Sequence, residues 1–206
     1  MTVKISLTQF INVTSRVSTS AKISVIRKMK SDPYSPATDY WKYLRDAIQE
    51  VAAGRKPLDY ILDVATNISD EKKQENYLLD AKKFISFVKS NNVEFFVVGH
   101  ATWKLNEDFV INASPEIGMK IDGQKYCVKI YYKVPNKSSK LTKRSAHSML
   151  TMMYLSTKDF SDTDLNFALL NLQNGKIIPS TNTPNESDKL ELMTDAAMIK
   201  GVWDNV

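Results

Sequence analysis

Glu116 and Lys129 are the residues whose types and spacing come closest to a chemical site. Between them stands Asp122-Gly123, a dipeptide suited to a type I′ hairpin turn because both positions need positive φ. If these two residues form the whole loop, Ile121 pairs with Gln124 and every opposed pair keeps the same sum of residue numbers. Glu116 then lies directly across from Lys129, and Cys127 falls opposite Gly118, two residues along the same face. A carboxylate beside a lysine makes a cross-strand ion pair, which is a normal means of stabilising a partly exposed sheet face. One carboxylate seldom holds magnesium without help from substrate phosphates.

A second chemistry lies in the charge pattern. The net charge is +5, yet Gly123 to Lys158 contains no Asp or Glu and eight basic residues, so the rest of the chain is net acidic. Lys125, Lys133, Lys137, Lys140, Lys143 and Arg144 in that run can neutralise phosphates and release counterions; a solvated lysine-rich face is the plainer reading. Met1 to Ser31 is acid-free as well and carries Lys4, Arg16, Lys22, Arg27, Lys28 and Lys30. Tyr126, Tyr131 and Tyr132 interleave with the lysines, a pattern able to stack bases and equally suited to sheet packing.

Other residues offer less. His100 and His147 have no nucleophile or acid placed beside them in sequence. Cys127, the single cysteine, can form neither an internal disulfide nor a zinc site with those histidines and reads as a small buried apolar residue. The scattered glycines form neither a phosphate-binding loop nor a dinucleotide fingerprint, and no G-x-S-x-G elbow occurs. ATPase, kinase, Rossmann dehydrogenase and α/β-hydrolase readings are set aside, and with them any nucleotide cofactor.

The elements that must position these residues follow from periodicity. Ser6 to Val13 and Ser20 to Met29 read as short helices, the first opened by a capping box of Ser6 and Gln9. Ser35 and Pro36 open a longer helix with apolar residues at Tyr40, Leu44, Ile48 and Val51, ended by Gly54. Another starts at Asp70, buries Tyr77, Leu78, Ala81, Phe84, Ile85 and Val88, and stops at Asn91 and Asn92. Strands follow at Val93 to Val98, Phe109 to Ile121 and Gln124 to Val134, then a helix from Leu141 to Leu155 and a strand from Phe167 to Leu172, turned back by Asn174-Gly175. Ser187 opens a last helix. The expected fold is mixed α/β: a helix-strand-strand-strand-helix-strand core with a central mixed sheet. The N-terminal helical part (1–69), the core (70–180) and the C-terminal helix (186–200) together make one domain.

That order of elements, from Asp70 to Leu172, resembles the core of the PD-(D/E)XK nuclease-like superfamily. Pro115-Glu116 stands where the family has Pro-Asp, and Cys127-Val128-Lys129 where it has acid-x-Lys. The resemblance implies a sheet face that presents two carboxylates and a lysine to a divalent cation, the lysine orienting or activating the attacking water. The carboxylate at position 127 is missing. It therefore implies a degenerate site in which Glu116 and Lys129 remain of the catalytic set and Glu116 alone remains as a metal ligand. The other implication is a magnesium-dependent nuclease whose second acid has moved to Asp80, Glu75 or Asp39.

Composition sets the remaining bounds. With 206 residues, 43% apolar and 25% charged, the chain can bury a full core. No apolar run reaches the roughly 18–20 residues that cross a bilayer, and a lone thiol fits a reducing compartment, so a cytoplasmic location is expected, without a membrane partner. Three functions remain: a non-catalytic nucleic-acid-associated protein that binds DNA or RNA, a protein-interaction module or regulatory subunit, and a metal-dependent nuclease with a rearranged acid. No cofactor is expected, except magnesium in the last case.

Overall fold

The computed structural model describes residues 2–32, 39–132, 141–161, 163–180 and 183–206. Among them the order is β1 (Val3–Ser6), α1 (Leu7–Thr14), α2 (Thr19–Ser31), α3 (Lys42–Ala52), α4 (Tyr60–Thr66), α5 (Glu71–Ser90), β2 (Glu94–Phe96), β3 (Ala101–Asn106) and β4 (Phe109–Asn112). The chain continues through β5 (Ile117–Ile121), β6 (Gln124–Tyr131), α6 (Lys143–Leu155), β7 (Thr157–Lys158), β8 (Leu165–Asn171), β9 (Lys176–Pro179) and α7 (Glu186–Asn205). The protein is α/β with mixed sheets, as its periodicities require.

There are two sheets where one was expected. The larger has the order β2-β5-β6-β8-β9, with β5 antiparallel to β6 and β6 parallel to β8; the smaller has the order β1-β4-β3-β7. The segment read as one strand from Phe109 to Ile121 is broken at Ala113–Glu116: β4 pairs with β1 and β3, and β5 pairs with β2 and β6. Pro115 lies in the break, where a residue without an amide hydrogen cannot continue a ladder. The N-terminal part is likewise not wholly helical. Val3 and Ile5 are buried while Lys4 is exposed, and β1 takes the edge of the smaller sheet in parallel with β4.

Helix ends follow local chemistry where side chains can cap them. Ser6 and Gln9 form the capping box of α1, Asp70 accepts from the Lys73 amide at the start of α5, and Asn91 follows its end. The opening of α3 differs from expectation. Ser35 and Pro36 lie outside the described residues, Tyr40 sits in a turn, and the helix begins at Lys42 after Trp41 with no side-chain cap. The last helix is capped by Asn185 and runs to Asn205.

The larger sheet separates two apolar cores. Along β6 and β8, Val128, Ile130, Ala168 and Leu170 face α3, α4 and α5, whereas Cys127, Tyr131, Phe167 and Leu169 face α6, α1 and the smaller sheet. Successive side chains point to opposite faces, so these strands supply both cores. At Gly118 the packing leaves no room: a Cβ there would lie 2.5 Å from the Phe96 ring and 2.6 Å from the Phe96 carbonyl oxygen. Gly118→Ala is expected to lower the unfolding free energy by about 1–3 kcal/mol, as overpacking does when backbone must move. Urea denaturation measures this; an unchanged midpoint would show that β2 shifts at no cost.

Candidate functional site

The turn at Asp122-Gly123 has the expected form, with φ of 50° and 80° at its two residues. The register then runs as counting requires, from Ile121 opposite Gln124 to Ile117 opposite Val128, with Gly118 opposite Cys127. At its end the ladder becomes irregular. The Glu116 amide donates to the carbonyl of Val128, 2.9 Å away, although Val128 is already the register partner of Ile117.

This irregularity brings the Glu116 carboxylate to the edge of β6. Its Oε1 accepts from Lys129 Nζ at 2.6 Å and its Oε2 from the Ile130 amide at 3.1 Å. Glu116 thus caps the strand edge that β5 vacates. The side chains are 5% and 11% exposed, which replaces the expected half-exposed surface pair with a buried one. Gln49 of α3 donates to the Glu116 carbonyl from 3.4 Å.

Around this pair lies a second one. Arg45, on α3, donates from Nη2 to Asp39 Oδ2 at 2.5 Å, and the other Asp39 oxygen accepts from the Trp41 amide at 3.1 Å. Burial by itself would depress the Arg45 guanidinium, but the hydrogen bond to Asp39 and the fields of Glu116 and Asp39 outweigh it and hold the group above its ordinary pKa. The buried Tyr132 hydroxyl is pushed well above its usual value, chiefly by burial and then by Glu116, with Arg45 opposing and Asp80 and Asp39 adding to the rise. Trp41 stacks on Tyr132 and on Tyr77, with ring centres 5.3 and 5.1 Å apart. A cavity of about 260 Å³ opens beside this cluster, bounded by Asp39, Trp41, Lys129 and Tyr132, by Thr8 and Asn12 of α1, and by Met149 of α6.

The three acids considered as replacements for position 127 go to different places. Asp39 lines the cavity with Lys129. Asp80 is fully buried on α5, within electrostatic reach of Tyr132. Glu75 is exposed on the same helix. Cys127 itself is fully buried in the core formed with α6. Among the described residues, no group of three His, Cys, Asp or Glu side chains is placed to hold a metal ion. A magnesium ion does not fit this set: Asp39 and Glu116 already serve protein cations, and a buried thiol is a poor ligand for a hard cation.

The basic run does not form one patch among the described residues. Lys133, Lys137 and Lys140 lie outside them. Lys125 is exposed beside the hairpin turn, whereas Lys143 is exposed at the start of the crossover helix, beyond the other end of β6. Arg144 pairs with Glu191 and Asp195 of α7. Lys129 is spent on Glu116, and Lys158 donates to the carbonyls of Tyr154 and Ser156 at 2.8 and 3.0 Å. His147 meets Asp188 at 2.7 Å, a contact that holds the Asp188 carboxyl below its ordinary value. The His100 amide is bonded to Asp159.

Sequence reasoning passed over Arg45 and Trp41 and read Tyr40 as part of a helix that begins only after it. The available signal was an arginine adjoining the apolar stripe Leu44, Ala47, Ile48 and Val51, a position from which a long side chain reaches inward while its head needs a partner. Comparison with known proteins finds no family model that matches the chain, and no significant match among curated proteins or solved structures.

Proposed function

We propose that this protein is a non-catalytic nucleic-acid-associated protein on a nuclease-like core, in which the metal site has given way to an internal ion-pair network. The observation that carries the reading is the state of the carboxylates. Glu116 is held by Lys129 and the Ile130 amide, and Asp39 by Arg45. Metal-assisted phosphodiester hydrolysis, the mechanism the resemblance implies, needs a cation in fixed geometry to stabilise charge and to generate the attacking hydroxide, and these acids are already committed. The order α5, β2, β5, β6, α6, β8, with β3 and β4 inserted after β2 and β7 before β8, supports the resemblance that the motifs suggest. The excess positive charge and its two acid-free tracts favour phosphate backbones as partners.

Binding of labelled single- and double-stranded DNA and RNA across a salt series tests this. Affinity is expected at low salt and should fall linearly on logarithmic axes, and changing Lys133, Lys137, Lys140 and Lys143 to Gln should flatten the slope by close to one unit per lost phosphate contact. No magnesium- or manganese-dependent cleavage is expected. Cleavage lost in Glu116→Ala and Lys129→Ala would instead establish a working nuclease, with Asp39 the first acid to test. Absence of binding to every nucleic acid would favour a protein-interaction module, a second reading to which Leu190 and Met193 on α7 lend weight at 66% and 51% exposure.

A further inference from the structure

From the cavity beside Lys129 we infer a binding site for a single nucleobase, an inference that rests on the nucleic-acid reading and specifies which part of the ligand the protein holds. The cavity lies beside the carboxyl end of β6, which runs parallel to β8, and the ends of parallel strands are where open α/β sheets bind ligands. At about 260 Å³ it falls below the roughly 300–1,000 Å³ of pockets that enclose drug-sized molecules. That size suits one ring system.

Charge decides against the phosphate as the buried group. Among the described residues, Asp39 and Lys129 are the charged members of the lining, and their charges are opposite; each is also matched, by Arg45 and Glu116 respectively. An anion entering here would meet no spare positive charge among the described residues, and desolvating it would go uncompensated by them. A neutral planar ring has better partners. Tyr40, Trp41 and Tyr132 line one side; Trp41 is already stacked with Tyr77 and Tyr132, so the three rings act together as an apolar aromatic wall, and contact with aromatic side chains is tolerant of base identity. Thr8 and Asn12 project from α1 with a hydroxyl and an amide, which supply donors and acceptors for a base edge.

The strand edge adds to this and excludes an extended peptide. Backbone groups of even-numbered residues in β6 point toward β5, as the bonds at Val128 and Ile130 show. The Ile130 carbonyl and Tyr132 amide therefore point the same way, and neither has a hydrogen-bond partner among the described residues. A peptide adding as a strand needs a longer run of free groups, but the Glu116 side chain already occupies the Ile130 amide. One acceptor and one donor remain, enough for a base edge.

The test uses the full chain and free adenosine, cytidine, guanosine and uridine, with ribose 5-phosphate as control, followed by NMR at the Trp41 indole and Asn12 amide. Nucleosides should give saturable shifts at both positions and ribose 5-phosphate none. Thr8→Trp, which fills the cavity from an exposed helix position, and Asn12→Ala, which keeps the test open if the first variant misfolds, should each weaken binding roughly tenfold. A single-stranded oligonucleotide should likewise bind about tenfold more tightly than an abasic strand of equal length. Nucleoside binding without binding of either strand would keep the base pocket and discard the nucleic-acid reading. Equal binding of the two strands with no nucleoside shift would discard the pocket and keep that reading. Equal shifts with ribose 5-phosphate would overturn the base assignment.

Discussion

Glu116→Ala is expected to lower the unfolding free energy by about 3–5 kcal/mol, the usual consequence of removing one partner from a buried ion pair. The loss has two sources. The Lys129 ammonium, 11% exposed, is left without its counter-charge, and the Ile130 amide loses its acceptor at the edge of β6. Lys129→Ala should cost less, because Glu116 then keeps the Ile130 amide and the field of Arg45. The double variant Glu116→Gln with Lys129→Met, which removes both charges at similar volume, should be milder than Glu116→Ala alone. Urea denaturation of the set measures the order. Equal and small losses in the two single variants would mean that water entering through the cavity solvates the pair, and the internal network would lose its structural meaning.

Cys127→Asp should destabilise the protein by several kcal/mol, the effective penalty for an ion placed in a protein interior, and should not create a metal site. The substitution supplies an acid at the position where the resemblance calls for one. The position is fully buried, however, and its neighbours in the core include Met149 and Phe167. A carboxyl there either ionises at that cost or stays protonated, and a protonated acid is no ligand for magnesium. Cys127→Ala, which removes only a small apolar group, serves as the control and should lose far less. The decisive measurement is thermal unfolding with and without magnesium or manganese. A metal-dependent rise in the midpoint of Cys127→Asp would show that the side chain reaches Glu116, and the site would then stand one residue from a working nuclease.

The sequence by itself determined those features whose causes are local. A two-residue turn admits one register, and side chains alternate strictly along a strand, so Asp122-Gly123 was enough to place Gly118 against Cys127; the same count set Glu116 across from Lys129, but the regular ladder ends at Ile117 and Val128 and the two residues meet through their side chains. Caps are equally local: Ser6 with Gln9, and Asp70 with Lys73, are read from neighbours a turn away. Tertiary structure alone decided the rest. β1 and β3 are short strands that become visible only through the partners that supply their hydrogen bonds. Asp39 and Arg45 meet six positions apart across a helix start that carries no cap signal, and they join Glu116 only when α3 packs against the sheet. Whether Glu116 and Lys129 sit on a solvated face or within the protein depends on helices and a second sheet whose packing no local pattern encodes. That burial turns a motif resembling a metal site into an ion pair the fold uses internally, because a charge withdrawn from water must take the nearest opposite charge as its partner.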